Sequence, residues 1–259
     1  MIKPAFDPKK VKERFDRDAF GWKEKYRWRI HNPFGYNSKA YRKKRVLEML
    51  GNGRGMLLDL GCGPGAFFEE LRSQGFFTVG VDFSHEMISL AHKAIRERHA
   101  AEVVQADALL LPFREQSFDG LIAVGLLEYF RDDEGVLGEI RRVLKPGGSA
   151  ILTVRNQKCS ERKRWKRYAR VFKRSFAEKH YYREHDPLAL EEVILGRGFV
   201  NVTKRFSHFY PIPWPFSRIL RPLNSLLGHA MERLFSRTTV DSLGSVLILR
   251  FEAPHQPPA

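Results

Sequence analysis

The segment Leu58-Asp59-Leu60-Gly61-Cys62-Gly63-Pro64-Gly65 places three alternate glycines just after a carboxylate. Glycine takes positive φ and lets the backbone approach a ligand closely, so such a loop brings main-chain groups against a small molecule. Cys62 fits there as a small side chain among glycines that is expected to line the cofactor, not as a reactive thiol. Two further acids follow at Asp82 and Asp107. An acid about twenty residues beyond a glycine loop can accept hydrogen bonds from both hydroxyls of a ribose. Asp107 can reach the exocyclic amine of an adenine, with Ala108 offering a backbone N–H to the ring and Phe83 and Met87 packing on sugar and base. An adenosine-containing ligand is favoured over a bare phosphate.

The loop alone also satisfies a relaxed dinucleotide fingerprint, Gly61-x-Gly63-x-x-Ala66. Asp59, Asp107 and Lys145-Pro146-Gly147-Gly148 separate the readings. A nicotinamide dinucleotide brings a pyrophosphate to this loop, where Asp59 repels it. A sulfonium cation with an α-amino group tolerates or attracts the acid.

These groups need elements that bring them to one edge. Met56–Leu60 is a short apolar run ending in glycines, the pattern of a buried parallel strand. A helix is expected over 66–73, a strand over 77–82, and a helix capped by Ser84 with Met87, Ile88, Ala91, Ala94 and Ile95 at helical spacing. Strands follow at 102–105, 118–124, 150–154, 199–204 and 245–251, with helices at 132–144 and 187–195. This alternation predicts an α/β fold with a parallel sheet covered on both faces. Ligands of open α/β sheets bind at the carboxyl ends of the strands, where the glycine loop, Asp82 and Asp107 fall. Residues 1–50 read as a helical N-terminal cap segment, and 51–259 as one domain with insertions at 156–186 and 207–243.

The ordered pieces Leu57–Gly65, Gly80-Val-Asp-Phe-Ser84, Gln105-Ala-Asp-Ala108, Ser117-Phe-Asp119 and Arg142-Val-Leu-Lys-Pro-Gly-Gly148 resemble the class I S-adenosylmethionine-dependent methyltransferases, especially the small-molecule subgroup around ubiquinone and menaquinone biosynthesis. The resemblance implies a Rossmann-like, seven-stranded, mostly parallel sheet whose last strand is antiparallel. It implies S-adenosyl-L-methionine as cofactor, with Asp59, Gly61, Gly63 and Gly65 at the methionine end, Asp82 at the ribose, and Asp107-Ala108 at the adenine. It covers about a hundred residues and does not extend to 1–50, 156–186 or 207–243.

The acceptor side is less marked. After the fourth strand, Leu126 is expected to line the cofactor, while Glu128 and Tyr129 face the acceptor or serve structure. His185 is the third candidate for a base, within a group His180, Tyr181, Tyr182 and His185. Asn32-Pro33-Phe34 lacks the second proline of an amino-methyltransferase signature and lies before the first strand, so it reads as a turn. Asp119 reads as fixing the start of the fourth strand. His85, His92 and His99 lie on one helix with no cysteine or carboxylate set to complete a metal site, and no metal is expected.

The net charge is +15 over 259 residues, concentrated in 3–54 and 155–183. Such a field attracts phosphates of nucleic acid or anionic lipid. On a helix through 158–176, Trp165, Tyr168, Ala169, Phe172 and Phe176 fall on one face among basic residues. Over 216–235 an apolar stripe runs from Phe216 to Phe235, with Pro222 bending or dividing it, after a proline-stiffened loop at 210–216. The plainer reading is a sheet-edge cover or homodimer face; the sharper one is a lid over a lipid-like acceptor beside an anionic membrane surface. Two distant cysteines, no apolar leader and no run of about eighteen apolar residues predict a soluble, cytoplasmic protein, possible membrane contact being peripheral.

Methyl transfer to a small, apolar or lipid-like acceptor is therefore the first reading. RNA methylation is the runner-up, motivated by the charge and interleaved aromatics. A non-catalytic binding module follows, and a nicotinamide dehydrogenase comes last because of Asp59.

Overall fold

In a computed structural model the structure describes residues 7–27, 38–98, 101–160, 163, 182–209, 212, 220–235 and 244–255. Two helices, α1 (Pro8–Arg27) and α2 (Ser38–Leu50), precede the sheet. Then come β1 (Gly55–Leu60), α3 (Phe68–Ser73), β2 (Phe76–Asp82), α4 (His85–Arg98), β3 (Ala101–Gln105) and β4 (Phe118–Val124). The chain continues through α5 (Glu134–Val143), β5 (Leu144–Arg155), α6 (Pro187–Gly196), β6 (Val200–Ser207), α7 (Arg221–Phe235) and β7 (Val246–Glu252).

Successive side chains on a strand point to opposite faces, so a strand covered on both sides reads as a nearly continuous apolar run. Leu58, Leu60, Leu121, Ala123, Ala150, Leu152, Leu247 and Leu249 form one buried layer with Val136, Leu137 and Ile140 of α5 and Leu190 and Ile194 of α6. The residues between them, Leu57, Ile122, Ile151 and Ile248, bury the other face with Val46 of α2 and Leu71 of α3. A third cluster joins Cys62 and Phe68 to Ile88 and Ala91 of α4.

The seven strands lie in the order β3-β2-β1-β4-β5-β7-β6. The first five pair in parallel, and β7 inserts antiparallel between β5 and β6. This is the Rossmann-like, mostly parallel sheet expected. Chain order reverses between β1 and β4, so the loops after these strands diverge and leave a crevice at their carboxyl ends. Asp119 clips three strands at the opposite end, accepting from the Met56 N–H and from Lys145 Nζ, both at 2.8 Å. These bonds hold its carboxyl below the usual range against the opposing effect of burial.

Some local expectations shift. The helix expected over 132–144 starts at Glu134 and ends at Val143, and Leu144 already pairs with Phe118 of β4. Pro222 occupies the first turn of α7, where a missing N–H costs no helical hydrogen bond; residues 213–219 before it lie outside the described residues. Most of the helix expected over 158–176, including all five of its apolar positions, His180, Tyr181, and nearly all of 210–219 lie outside the described residues.

Candidate functional site

The carboxyl edge opens into a cavity of about 420 Å³ lined by residues of the β1, β2, β3 and β4 ends and of α1 and α2. Ten of the predicted cofactor residues line it: Asp59, Gly61, Cys62, Gly63, Asp82, Phe83, Met87, Asp107, Ala108 and Leu126. The eleventh, Gly65, does not. A Cβ there would stand 2.6 Å from the Phe68 ring, and φ is +77°, so this glycine turns the loop into α3 and packs backward. Gly61 is constrained from the front: its φ is also +77°, and a Cβ would lie 3.0 Å from Leu126 Cδ1.

Asp59 is the unusual group. Its side chain is 2% exposed, and Oδ2 has no hydrogen-bond partner. Burial pushes its carboxyl up to about 8, the Asp82 charge adds to this, and Lys43 pulls weakly the other way. Lys43 is itself engaged elsewhere, donating to the Ala66 carbonyl at 2.5 Å and pairing with Glu70 at 2.6 Å. A buried carboxylate with a bare oxygen is a costly arrangement unless a cation arrives.

Asp82 is held by the backbone around it. Oδ2 accepts from the Gly63 N–H and Oδ1 from the Ser84 N–H, each at 2.9 Å. Burial raises its pKa, these bonds oppose the rise, and Asp16 on α1 reinforces it. Ser84 Oγ donates to Asp16 Oδ1 at 2.5 Å, so α1 is tied to the start of α4 beside the cavity. Asp107 sits on the rim, where Oδ1 accepts from the Leu109 N–H at 2.9 Å, with Ala108 buried behind it. The Cys62 thiol is buried and pushed well up, which leaves it protonated and unreactive.

Past β4, the short 3₁₀ turn Leu127–Tyr129 carries Glu128 and Tyr129 to the same cavity. Glu128 is buried and engaged: Arg155 Nε donates to its Oε2 at 2.8 Å, and the Arg155 guanidinium lies 4.1 Å over the Tyr182 ring. The Tyr129 ring meets Phe15 of α1 edge-on, with centroids 5.0 Å apart. Burial and the Glu128 charge push its phenol above the usual value, with Arg14 and Arg155 opposing, so the hydroxyl is a donor at neutral pH.

The third predicted base, His185, is not in this cavity. Its Nε2 lies 3.0 Å from Asp133 Oδ1, and its N–H donates to the Arg155 carbonyl at 2.8 Å. Arg183 also reaches Asp133, so this group fastens the segment after β5 to the start of α5. His185 meets the chain just past β5 through an isolated parallel bridge to Asn156.

Several lining residues carry no motif: Pro8, Val11 and Phe15 on one face of α1, Lys39 and Arg42 one turn apart on α2, and Arg155, His208, Ser245 and Val246 at the ends of β5, β6 and β7. The spacing of Pro8, Val11 and Phe15 marks a helical face, but not what that face covers. His208 is recognisable only in space, with its left-handed φ of +64° and its N–H donating to buried Glu232 at 2.8 Å. Among the described residues no three His, Cys, Asp or Glu side chains converge as a metal site.

A Rossmann-like sheet with a glycine loop after β1, an acid ending β2 and an acid after β3 defines a protein that binds an adenosine-type cofactor. The comparisons narrow this further. Residues 58–152 match the family described as "Methyltransferase domain". The chain is 28% identical over 187 residues to a phosphatidylethanolamine N-methyltransferase of Cereibacter sphaeroides, covering 71% of this chain and 78% of the relative. It is 33% identical over 151 residues to a demethylmenaquinone methyltransferase of Staphylococcus aureus, covering 56% of this chain and 61% of that one. Magnesium protoporphyrin IX methyltransferase from Synechocystis PCC 6803, solved with bound S-adenosylhomocysteine, shares the fold, with a TM-score of 0.62 at 16% identity over 93% of this chain and 97% of that chain. Residues 58–152 are thus a methyltransferase domain, and the chain is similar in sequence and fold to class I S-adenosylmethionine-dependent methyltransferases.

Proposed function

We propose that this methyltransferase carries a methyl group to a small acceptor with a largely apolar body, by in-line displacement at the crevice between β1 and β4. One observation carries the reading: a buried Asp59 oxygen without a hydrogen-bond partner, beneath a glycine loop in a cavity of about 420 Å³. That volume falls in the range of roughly 300–1,000 Å³ usual for small-molecule sites. The bare oxygen fits the ammonium of the cofactor's amino-acid end, and the positive φ of Gly61 and Gly63 lets the backbone lie close to it. In this reading Asp82 accepts from the ribose hydroxyls, Asp107 and Ala108 meet the adenine edge, Phe83 and Met87 pack on sugar and base, and Leu126 and Cys62 line the floor.

S-adenosylmethionine, when bound, supplies an electrophilic methyl on a positively charged sulfur with a good leaving group. The chain's own residues then orient the acceptor and exclude water. Glu128 is neutralised by Arg155, and Tyr129 keeps its proton, so both position the acceptor instead of abstracting a proton from it. This favours a nucleophile that brings its own lone pair, such as an amine or an already ionised group. Phe15, Phe67, Val124 and Val246 supply the apolar wall.

The outer face of α7 supports a lipid-like source. Leu226 is 68% and Leu234 73% exposed, with Leu223 and Leu227 beside them, on a chain of net charge +15. A basic protein with an exposed leucine face matches an anionic membrane surface. No helix among the described residues is long and apolar enough to cross a membrane, so such contact is peripheral. The names of the phosphatidylethanolamine and demethylmenaquinone relatives point the same way.

Incubation with methyl-labelled S-adenosylmethionine and either a total phospholipid and quinone extract or total tRNA tests the reading. Label in the organic phase is the expected result. Label confined to RNA overturns the acceptor class, and a protein that binds the cofactor but labels neither pool is a binding module.

A further inference from the structure

Arg42, on α2, lines the cavity, is half-buried and has no bonded partner among the described residues. Neither an ion pair nor a hydrogen bond to a described residue engages its guanidinium. Neighbouring cations differ: Lys43 is bonded to Ala66 and Glu70, and Arg155 to Glu128. The planar fork of a guanidinium is matched to an oxyanion.

Its position narrows the choice of anion. Arg42 Nη1 lies 3.4 Å from where a Cβ on Gly125 would stand, with Glu128 Oε1, whose carboxylate is paired to Arg155, 3.9 Å from the same point, and Gly125, with φ +71°, is the first residue beyond β4. A side chain there would crowd the guanidinium, and the left-handed backbone disfavours one independently. The next residue, Leu126, closes against Gly61 of the glycine loop. Arg42 therefore reaches the gap between the ends of β1 and β4, the same gap that Asp59 faces from the end of β1. Among the described residues, one cavity thus offers an acid with a buried, unpartnered oxygen and a cation without an ion pair. The ligand end that satisfies both is zwitterionic, with an ammonium and a carboxylate.

We propose that Arg42 binds the α-carboxylate of the methyl donor, so that the amino-acid end is gripped by a carboxylate from β1 and a guanidinium from α2. The inference rests on the cofactor reading above and adds to it a residue outside the glycine-loop core, contributed by a helix that precedes the sheet. It makes α2 part of the cofactor site instead of a packing element alone. An anionic group on the acceptor is the competing source of the same chemistry.

Two probes separate these sources in calorimetric titrations of the full chain. S-adenosylhomocysteine has the amino-acid end; 5′-methylthioadenosine keeps the adenine, ribose and thioether but lacks it. Arg42→Gln is expected to weaken S-adenosylhomocysteine by about 10- to 100-fold, the loss typical of a hydrogen bond between charged groups, and to leave 5′-methylthioadenosine within about twofold. Arg42→Lys, which keeps the charge but not the fork, is expected to fall between. Unchanged S-adenosylhomocysteine affinity in Arg42→Gln overturns the proposal in favour of an acceptor anion. Equal weakening of both probes overturns it in favour of a packing role. A wild-type chain that binds neither probe defeats the cofactor reading itself, a different failure from either of these.

Discussion

Replacing Asp59 by asparagine should make the cofactor-free protein more stable and a worse binder. The side chain is 2% exposed and its carboxyl is pushed up to about 8 from 3.8. Between those values the folded chain holds a proton that the unfolded chain has released. Stability therefore falls as pH rises through the window, by about 1.4 kcal/mol per pH unit, and the accumulated penalty at pH 7 is about 4 kcal/mol. Asparagine has nearly the same size and no proton to hold. The variant's advantage should grow from about 1–2 kcal/mol at pH 5 to about 4 kcal/mol at pH 7, a rise in Tm on the order of 10 °C for a chain of this length. Calorimetric melts of both proteins from pH 5 to 8 measure it. Binding should move oppositely, with S-adenosylmethionine weakened by about 10- to 100-fold as the charged partner of its ammonium is lost. In the wild type at pH 7, binding should release close to one proton, visible as a dependence of titration heat on buffer ionisation. Melts that coincide across the pH range would refute the account of Asp59 as a carboxyl kept neutral by its surroundings.

Two further substitutions test the scaffold. Arg155→Ala strands Glu128 in a buried site with its carboxylate unpaired, and about 3 kcal/mol should be lost in urea unfolding at neutral pH. Asp186→Ala removes the cap of α6, where Oδ1 accepts from the N–H groups of Leu188 and Ala189. It should cost about 1 kcal/mol near pH 7. Burial opposes the shift, but these bonds and Lys158 hold the Asp186 carboxyl below 3.8, so its contribution is present above that pH and fades on acidification. The variant and wild type should therefore converge in melts taken at low pH.

Much of the sheet and one half of the cavity are legible in the sequence because their signals are local. Leu57 to Gly65 encodes strand, acid and glycine loop within nine residues, and Asp82, Asp107 and Leu126 each follow a strand end that their own neighbours define. The remainder comes from chain far away. Val11 and Phe15 reach the cavity from α1, Lys39 and Arg42 from α2, and His208 and Ser245 from β6 and β7. Helical spacing identifies an inward face but not its destination, and a strand's apolar run carries no sign of its direction. The antiparallel insertion of β7 followed from family resemblance, not from periodicity. His185 shows the reverse difficulty: a titratable ring close to a pocket in sequence is turned by β5 toward Asp133. Gly65 was grouped with its neighbours by spacing, yet its missing Cβ makes room for Phe68, not for a ligand.

The attachment of α1 has a consequence for both ends of the site. Pro8, Val11 and Phe15 wall the cavity, and the helix is held there by the Asp16–Ser84 hydrogen bond and the Phe15–Tyr129 contact. The Arg14 guanidinium over the Tyr129 ring and the packing of α1 along α4, with Val11 and Ala19 buried, add to these anchors. Opening this wall uncovers the ribose-side and acceptor-side surfaces together, because Ser84 adjoins Asp82 while Tyr129 adjoins Glu128. Departure of spent cofactor and admission of the next acceptor both run past this one wall, so a helix outside the glycine-loop core bounds both ends of the site.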